Sequence, residues 1–200
     1  MLLDKTAIII GAGGLGGYVV EYLARLNIAK LVIMDGDVFD ESNLDRQLYS
    51  AYENLGKFKA QAAAERIKKI SRTDAFAVNE FFPNDIIDGI NADIIVDCLD
   101  NVKDRLLLEE YAANRGIPLV HGAINGAFGQ VTTIMPGDYT LKYIYKDREI
   151  SVSKTMSYVP ALVAALEASE ALKTLTGAPS LRRELLLIDL NSLTFTKVKL

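Results

Sequence analysis

Residues 6–16, TAIIIGAGGLG, join a run of apolar, largely β-branched residues to a glycine-rich loop. Such a run is typical of a buried parallel strand, and the residues after Gly16 repeat their apolar side chains with a helical period. Glycines allow a tight turn and let backbone N–H groups approach a phosphate at the positive end of the helix. The stretch therefore predicts a nucleotide-binding loop. Its glycines are Gly11, Gly13, Gly14 and Gly16.

An acidic residue stands where folds of this kind bind a ribose. Asp35 ends the next apolar run, 19 residues after Gly16. A carboxylate at this position accepts hydrogen bonds from ribose hydroxyls. The pattern favours a bound nucleotide over a glycine turn without a ligand, but it does not separate ATP from NAD or FAD.

Short β-branched runs alternate with helix-period segments along most of the chain. This alternation predicts an α/β fold, with a Rossmann-like, mostly parallel sheet and helices on both faces. The predicted parallel strands are Ala7–Ile10, Leu31–Met34, Ala75–Val78, Ile94–Val96 and Leu119–Val120.

The pattern changes near residue 130. Gln130–Ile134 is a predicted strand, and the alternating segment 139–153 fits either a hairpin or a crossing loop. The Ala/Leu-rich segment Pro160–Thr176 predicts a long helix, and it should end there because Gly177 and then Pro179 follow. The chain closes with a predicted hairpin, which extends the sheet by antiparallel strands at Leu185–Ile188 and Thr194–Val198.

Composition limits the class of protein. The 200 residues, half of them apolar and with a net charge of −4, predict one domain over residues 1–200 and argue against general nucleic-acid binding. A single cysteine excludes a disulfide framework and a multi-cysteine site within the chain, so no zinc is expected. The start, MLLDKTAIIIGAG, lacks the pattern of a signal peptide, and no stretch of about 20 apolar residues predicts a membrane span. We expect a cytoplasmic protein without membrane association.

Charged residues cluster in the loops that should leave the carboxyl ends of the strands, the usual ligand side of such a sheet. Phosphoryl or nucleotidyl transfer needs cations around the phosphates and a carboxylate for Mg²⁺, whereas hydride transfer needs little of this. Singly, Arg46 could be a surface ion-pair partner, Lys59 a solvated residue and Asp100 a helix N-cap. Together, after a glycine loop, they favour a site. The candidate loops are Asp35–Asp37, Ser42–Gln47, Gly56–Lys59 and Asp97–Asn101, with Arg105 one turn into the next helix.

Five segments of the chain, GAGGLG, MDGDVFDESNLDRQ, GKFK, DCLDN and PLVHGAINGAFGQVTTIMPGD, resemble the ThiF/MoeB/HesA family, which is related to ubiquitin-activating enzymes. The resemblance covers roughly residues 5–137 and the helix that ends before Gly177. It implies an enzyme that binds Mg-ATP and adenylates the C-terminal glycine carboxylate of a small ubiquitin-like sulfur-carrier protein, with release of pyrophosphate. A homodimer, a separate sulfur donor protein and a place in thiamine or molybdopterin-type biosynthesis are also implied.

The same resemblance assigns roles to the candidate residues. Asp35 would hold the ribose, and Asp100 would bind Mg²⁺ with Asn101 beside it. Asn43, Arg46 and Lys59 would surround the phosphates, and Arg46, Lys59 and Asp100 would form the catalytic set. The implied nucleotide-binding residues are Gly11, Gly13, Gly14, Gly16, Asp35, Asp37, Ser42, Asn43, Arg46, Lys59, Asp100 and Asn101.

The chain departs from the family in three respects. It starts at the first strand, without the helical arm that supplies an arginine to the partner subunit of relatives, and it has no CxxC pairs for structural zinc. Residues 151–157, SVSKTMS, also lack the thiol that many relatives carry in their crossover loop. Cys98, the only thiol, lies in a predicted buried strand, so we expect inert packing rather than sulfur transfer. We assign no role to His121, the only histidine.

Three other interpretations stay open at this point. Adenylation of a small-molecule or tRNA-linked carboxylate fits the same residues. An NAD-binding oxidoreductase would leave Arg46, Lys59 and Asp100 unexplained. A non-catalytic partner in a heterodimer would not need the complete set of nucleotide positions.

Overall fold

Eight strands and five α-helices lie within residues 2–146 and 153–200, which are the residues that the computed structural model describes. The strands are β1 Thr6–Ile10, β2 Lys30–Met34, β3 Asp74–Val78, β4 Ile94–Asp97, β5 Leu119–Asn125, β6 Phe128–Ile134, β7 Glu184–Asp189 and β8 Thr194–Lys199. The helices are α1 Gly14–Arg25, α2 Lys59–Ile70, α3 Val102–Arg115, α4 Thr140–Ile144 and α5 Tyr158–Leu175.

The eight strands form one sheet in the order β3-β2-β1-β4-β5-β6-β7-β8. β1 to β5 run parallel, whereas β6, β7 and β8 each pair antiparallel with the strand before them. This arrangement confirms the Rossmann-like fold and its antiparallel C-terminal extension. β1 lies between β2 and β4, so the strand order reverses beside it. Open α/β sheets bind ligands at such a point, outside the carboxyl ends of the strands.

The two faces of the sheet bury two apolar clusters, because successive side chains of a strand point to opposite faces. Ile9 and Ile33 pack on one face with apolar residues of α1, α2 and α5. Ile8 and Ile10 pack on the other face with residues of α3 and α4. Among the described residues no helix is both long and apolar enough to cross a membrane.

The glycine loop brings three chain segments into backbone contact. A Cβ at Gly16 would lie 1.9 Å from the carbonyl oxygen of Gly11, and a Cβ at Gly11 would lie 2.6 Å from that of Cys98. Gly11 also has a φ of +96°, which side-chain-bearing residues rarely adopt. Only glycine at these two positions lets the first turn of α1 sit directly against the ends of β1 and β4.

The segment 139–153, predicted as a hairpin or a crossing loop, contains a short helix at its start, because Thr140–Ile144 form α4. Residues 147–152 of the segment lie outside the described residues. The carboxylate of Glu109 on α3 accepts the backbone N–H groups of Leu141 at 2.7 Å and Lys142 at 3.3 Å. Leu141 and Ile144, on the inner face of α4, are buried. Long-range capping and burial, which local periodicity does not show, therefore make this segment helical.

We predict that Gly16→Ala destabilises the protein by more than about 3 kcal/mol, because the added methyl group overlaps backbone that cannot move independently. Gly14→Ala, on the same helix, is the control, since its Cβ would meet only Pro160, at 3.9 Å. Urea unfolding of the three proteins measures the difference. Equal unfolding free energies for the two variants would contradict the close approach of Gly11 and Gly16.

Candidate active site

A cleft of about 1250 Å³ opens at the carboxyl ends of β1, β2 and β4. It is the position at which the reversed strand order predicts a ligand. Ten of the twelve predicted nucleotide-binding residues line it, although they come from five separate segments of the chain. They are Gly11, Gly13, Gly14, Asp35, Asp37, Ser42, Arg46, Lys59, Asp100 and Asn101.

Gly16 and Asn43 are the two predicted residues that do not line the cleft. Gly16 lies against Gly11, where it permits the backbone contact described above. Asn43 is buried, and its Oδ1 accepts the backbone N–H of Asp40 at 3.3 Å while Asp40 accepts that of Ser42 at 2.7 Å. This reciprocal capping orders the loop before Arg46. Both residues therefore support the loops that line the cleft, and their predicted contact with the nucleotide stays a prediction.

Asp35 connects the glycine loop to the end of β2. Its carboxylate accepts the backbone N–H of Ala12 at 2.7 Å and that of Asp37 at 2.8 Å. Burial raises the pKa of Asp35 above its ordinary value, and these two hydrogen bonds oppose the rise. Each carboxylate oxygen can accept a second hydrogen bond, so the position is suited to ribose hydroxyls.

Lys59 is a buried cation at the floor of the cleft. Its side chain is 9% exposed, and its Nζ lies 2.9 Å from Oδ2 of Asp37, whose side chain is 55% exposed. The backbone N–H of Lys59 donates to the carbonyl of Asp37 at 2.9 Å, so α2 begins against the loop that follows β2. A desolvated ammonium with one solvent-facing partner can attract an anion that enters the cleft.

Arg46 lies in the loop that follows the capped turn at Asp40–Asn43 and also lines the cleft. Its guanidinium donates to the carbonyl of Ser42 at 2.5 Å and to Oδ1 of Asp45 at 2.8 Å. The hydrogen bond from Arg46, then the charge of Arg46 and then that of Lys154 hold the pKa of Asp45 below its ordinary value of 3.8. The cation is thus held in place by its own loop before any phosphate arrives.

Asp100 and Asn101 stand at the start of α3. Asn101 is the N-cap, because its Oδ1 accepts the backbone N–H of Asp104 at 2.9 Å. The alternative that Asp100 caps this helix is therefore wrong, and the exposed Asp100 carboxylate lines the cleft. No cluster of three or more His, Cys, Asp or Glu within 2–146 and 153–200 could hold a metal ion alone. One carboxylate is nevertheless sufficient for Mg²⁺ that is bound mainly by substrate phosphates and water.

A buried chain of hydrogen bonds lies behind Asp100, and the sequence analysis missed it. Arg105 donates to the carbonyl of Leu99 through Nε at 3.2 Å and to the hydroxyl of Tyr145 at 2.8 Å. The Tyr145 hydroxyl lies 3.1 Å from Nε2 of His121, and Nδ1 of His121 lies 2.7 Å from Asp97. Arg105 and Asp97, which carry opposite charges, form the two ends of this series of hydrogen bonds. Through its bond to the carbonyl of Leu99, Arg105 fixes the loop that carries Asp100.

The protonation state of His121 follows from this chain. The residue is fully buried, and burial lowers its pKa below the ordinary 6.5, against the opposing effect of Asp97. A neutral imidazole donates from Nδ1 to Asp97 and accepts the Tyr145 hydroxyl at Nε2. The sequence gives little indication of the contact between His121 and Asp97, because the contact depends on the register in which Asp97 of β4 lies opposite His121 of β5.

Cys98 follows β4 directly and is buried. Its Sγ lies 3.9 Å from both carboxylate oxygens of Glu167 on α5. Burial first, and then the Glu167 carboxylate, raise the pKa of the thiol well above 9.0. A protonated, buried thiol is a poor nucleophile, which supports the predicted packing role.

A second concavity, of about 470 Å³, lies over β5 to β8 and continues the cleft. The two share three lining residues, Arg105, Ile124 and Asn125. Phe128 and Leu187 give this groove apolar walls, and polar side chains from β6 and β8 interrupt them. These polar residues are Gln130, Thr194 and Thr196.

These features define a Rossmann-type nucleotide-binding protein whose cleft is equipped for phosphates. The ThiF family matches residues 1–200. The SAMP-activating enzyme E1 of Haloferax volcanii is 31% identical over 98% of this chain and 77% of that protein. The sulfur carrier protein ThiS adenylyltransferase of Bacillus subtilis is 33% identical over 88% of this chain and 56% of that protein. A solved structure of E. coli MccB with AMPCPP and MccA superimposes with a TM-score of 0.84 at 20% identity, over 99% of this chain and 64% of that one.

The chain belongs to the ThiF family, which confirms the resemblance seen in its motifs. Its relatives are named adenylyltransferases and activating enzymes, and the chain is an enzyme of this nucleotidyltransferase class. The chain spans only 56% of the Bacillus protein and 64% of MccB, so the membership in the family does not extend the complete activities of those two proteins to this chain.

The pKa of His121 predicts a pH-dependent stability. Between the folded pKa and the ordinary value of 6.5, the unfolded chain binds a proton that the folded protein does not. The unfolding free energy should therefore fall as pH drops below about 6.5, by up to about 1.4 kcal/mol per pH unit. Denaturant unfolding of the wild type and His121→Gln between about pH 7.5 and about pH 5.5 measures this slope. The variant should lose this contribution, and parallel pH curves for the two proteins would refute a neutral His121.

Proposed function

We propose that this protein is an ATP-dependent adenylyltransferase that activates the C-terminal carboxylate of a small ubiquitin-like sulfur-carrier protein. One observation carries the proposal: a cleft lined by a ribose-type acid, two cations and an open carboxylate continues into a groove that reaches the protein surface. The relatives named ThiS adenylyltransferase and SAMP-activating enzyme support this class of substrate.

Each group in the cleft has a place in nucleotide binding. The loop around Gly13 presents backbone N–H groups at the start of α1, where anions are favoured. Asp35 receives the ribose hydroxyls, and Arg46 and Lys59, which line the same cleft, bind the phosphates. Asp100 is the residue that would hold Mg²⁺, and the metal ion would supply positive charge that offsets the charge of the phosphates.

The reaction itself needs little proton transfer. A C-terminal carboxylate is ionised at neutral pH, so its oxygen can attack the α-phosphorus without a general base. As that bond forms, the bond from the α-phosphorus to the bridging oxygen breaks, and pyrophosphate leaves with the electron pair. Negative charge moves onto pyrophosphate, and Arg46 and Lys59 stabilise it because they are already in position.

The groove gives the carrier tail a route to the nucleotide. An extended peptide that lies along Phe128 and Leu187 would pass Ile124 and Asn125 before it enters the cleft. Apolar walls with a few polar groups suit a short peptide that must be oriented at its end. The same opening would admit a carboxylate on another molecule, which the exchange assay below distinguishes.

Sulfur chemistry is assigned to another protein. Cys98 is buried and its thiol is kept protonated by burial and by Glu167, so the enzyme would stop at the acyl-adenylate. Of the stretch 151–157, residues 151 and 152 lie outside the described residues. The proposal includes a separate sulfur donor and a homodimer, the latter expected from the family alone.

We predict that Mg-ATP raises the melting temperature and that NAD does not. Ligand at about 100 times its dissociation constant adds about 2.7 kcal/mol of stability, which a thermal melt detects readily. A larger shift with NAD than with Mg-ATP would contradict the adenylation chemistry and favour an oxidoreductase.

We also predict that Arg46→Ala and Lys59→Ala slow pyrophosphate exchange by about 10²–10³-fold, with a smaller loss of ATP binding. The assay measures ATP–pyrophosphate exchange with ThiS-like and MoaD-like carriers, and carriers without the terminal glycine serve as negative controls. Arg72→Ala and Lys69→Ala are the matched controls, because both residues are exposed at the end of α2. If all four variants exchange at the wild-type rate, Arg46 and Lys59 take no part in catalysis.

A further inference from the structure

A short strap, Ser153–Thr155, crosses beside the cleft and is fixed at both of its ends. The backbone N–H of Ser153 donates to Oδ1 of Asn125 at 2.7 Å. The hydroxyl of Thr155 accepts the backbone N–H of Gly126 at 3.2 Å. A Cβ at Gly126 would lie 3.2 Å from the Cβ of Ser153, so glycine leaves room for the strap. Lys154, at the centre, is thus held by both neighbours against the β5–β6 turn.

Lys154 reaches from this strap toward the opposite wall of the cleft. Its Nζ lies 3.6 Å from Oδ2 of Asp45, and the other oxygen of that carboxylate lies 2.8 Å from Arg46. Both Lys154 and Arg46 line the cleft. One carboxylate therefore holds two cations from two different segments at the same side of the nucleotide cleft.

The ion pair between Lys154 and Asp45 can be replaced by an ion pair between Lys154 and another anion at little cost in free energy. The Lys154 side chain is 80% exposed and that of Asp45 is 46% exposed. Exposed ion pairs contribute little to stability, because water screens them and ordering the long side chain is entropically unfavourable. A triphosphate brings several negative charges to the same place. An ammonium with three rotatable donors can turn from Asp45 to phosphate oxygens without a change in the backbone.

We propose that Lys154 is a further catalytic residue of the adenylation step, one that contacts the β- and γ-phosphates and the departing pyrophosphate. Asp45 occupies the anion position between Lys154 and Arg46 until ATP enters. The inference rests on the proposed function. When the bond from the α-phosphorus to the bridging oxygen breaks, the electron pair goes to pyrophosphate, and Lys154 and Arg46 neutralise the charge without giving up a proton.

The first experiment separates phosphate contact from a structural role. Lys154→Met and the control Lys69→Met are titrated with Mg-ATP and with AMP by isothermal calorimetry. The expected result is at least about tenfold weaker binding of Mg-ATP by Lys154→Met, typical of a lost hydrogen bond to a charged group. AMP affinity should stay unchanged, because AMP lacks the β- and γ-phosphates. Equal loss for both nucleotides, or loss for neither, would overturn the proposal.

Pyrophosphate exchange distinguishes failure of this inference from failure of the proposed function. Exchange by the wild type with a carrier, together with full exchange by Lys154→Met, would refute the role of Lys154 alone. Absence of exchange by the wild type with every carrier and carboxylate would refute the function, while the calorimetric test of Lys154 remains valid. Lys154→Arg, which keeps the charge, should recover most of the exchange rate and ATP affinity, and no recovery would refute a charge-based role.

Asp45→Asn tests whether that carboxylate competes with phosphate. Removing its charge should leave Mg-ATP binding unchanged or make it tighter. Binding weakened by more than about tenfold would refute the competition and make Asp45 a positioning residue for the two cations. Glu110→Gln, which removes an exposed carboxylate that pairs with Lys142 outside the cleft, is the matched control.

Discussion

The absence of two side chains allows the site to exist. At Gly16 a Cβ would overlap the carbonyl of Gly11, and at Gly11 a Cβ would overlap the carbonyl of Cys98. Because neither atom is present, the start of α1 and the ends of β1 and β4 touch through their backbones. The N–H groups of the glycine loop, Asp35 and the loop of Asp100 therefore open on one cleft. A Cβ at either position would force these segments apart, because it would lie closer to a neighbouring carbonyl oxygen than non-bonded atoms can approach.

Two buried charged side chains, Arg105 and Asp97, impose a second constraint on the structure behind the cleft. Arg105 and Asp97 are both nearly inaccessible to water, and isolated charges there would be very costly. Tyr145 and His121 connect them by hydrogen bonds, so each polar group has a partner. This series of hydrogen bonds connects α3, the end of α4 and the strands β4 and β5, and apolar packing alone would not specify that arrangement. It also lies between the nucleotide cleft and the groove, since Arg105 lines both.

Three cations that line the cleft, Arg46, Lys59 and Lys154, share a common arrangement, since each is paired with a carboxylate of another residue at the cleft. Lys59 pairs with Asp37, while Arg46 and Lys154 both contact Asp45. These carboxylates hold the cations in place and leave them accessible from the cleft, which limits the rearrangement needed when phosphate binds. The overall charge of −4 is therefore compatible with binding a polyanion, because local geometry and not net charge decides what the cleft attracts.

The sequence by itself determined the order of strands and helices, the antiparallel end of the sheet, and the loops that carry Asp35 and Asp100. Apolar periodicity and glycine act over a few neighbouring residues, so they can be recognised in one chain. Only the tertiary structure decided that Asn43 turns inward, that residues 140–144 form a helix, and that His121 meets Asp97. It also placed Lys154 opposite Asp45, more than one hundred residues away in sequence. Such pairs depend on strand register and on how distant loops converge, and no local pattern encodes either of them.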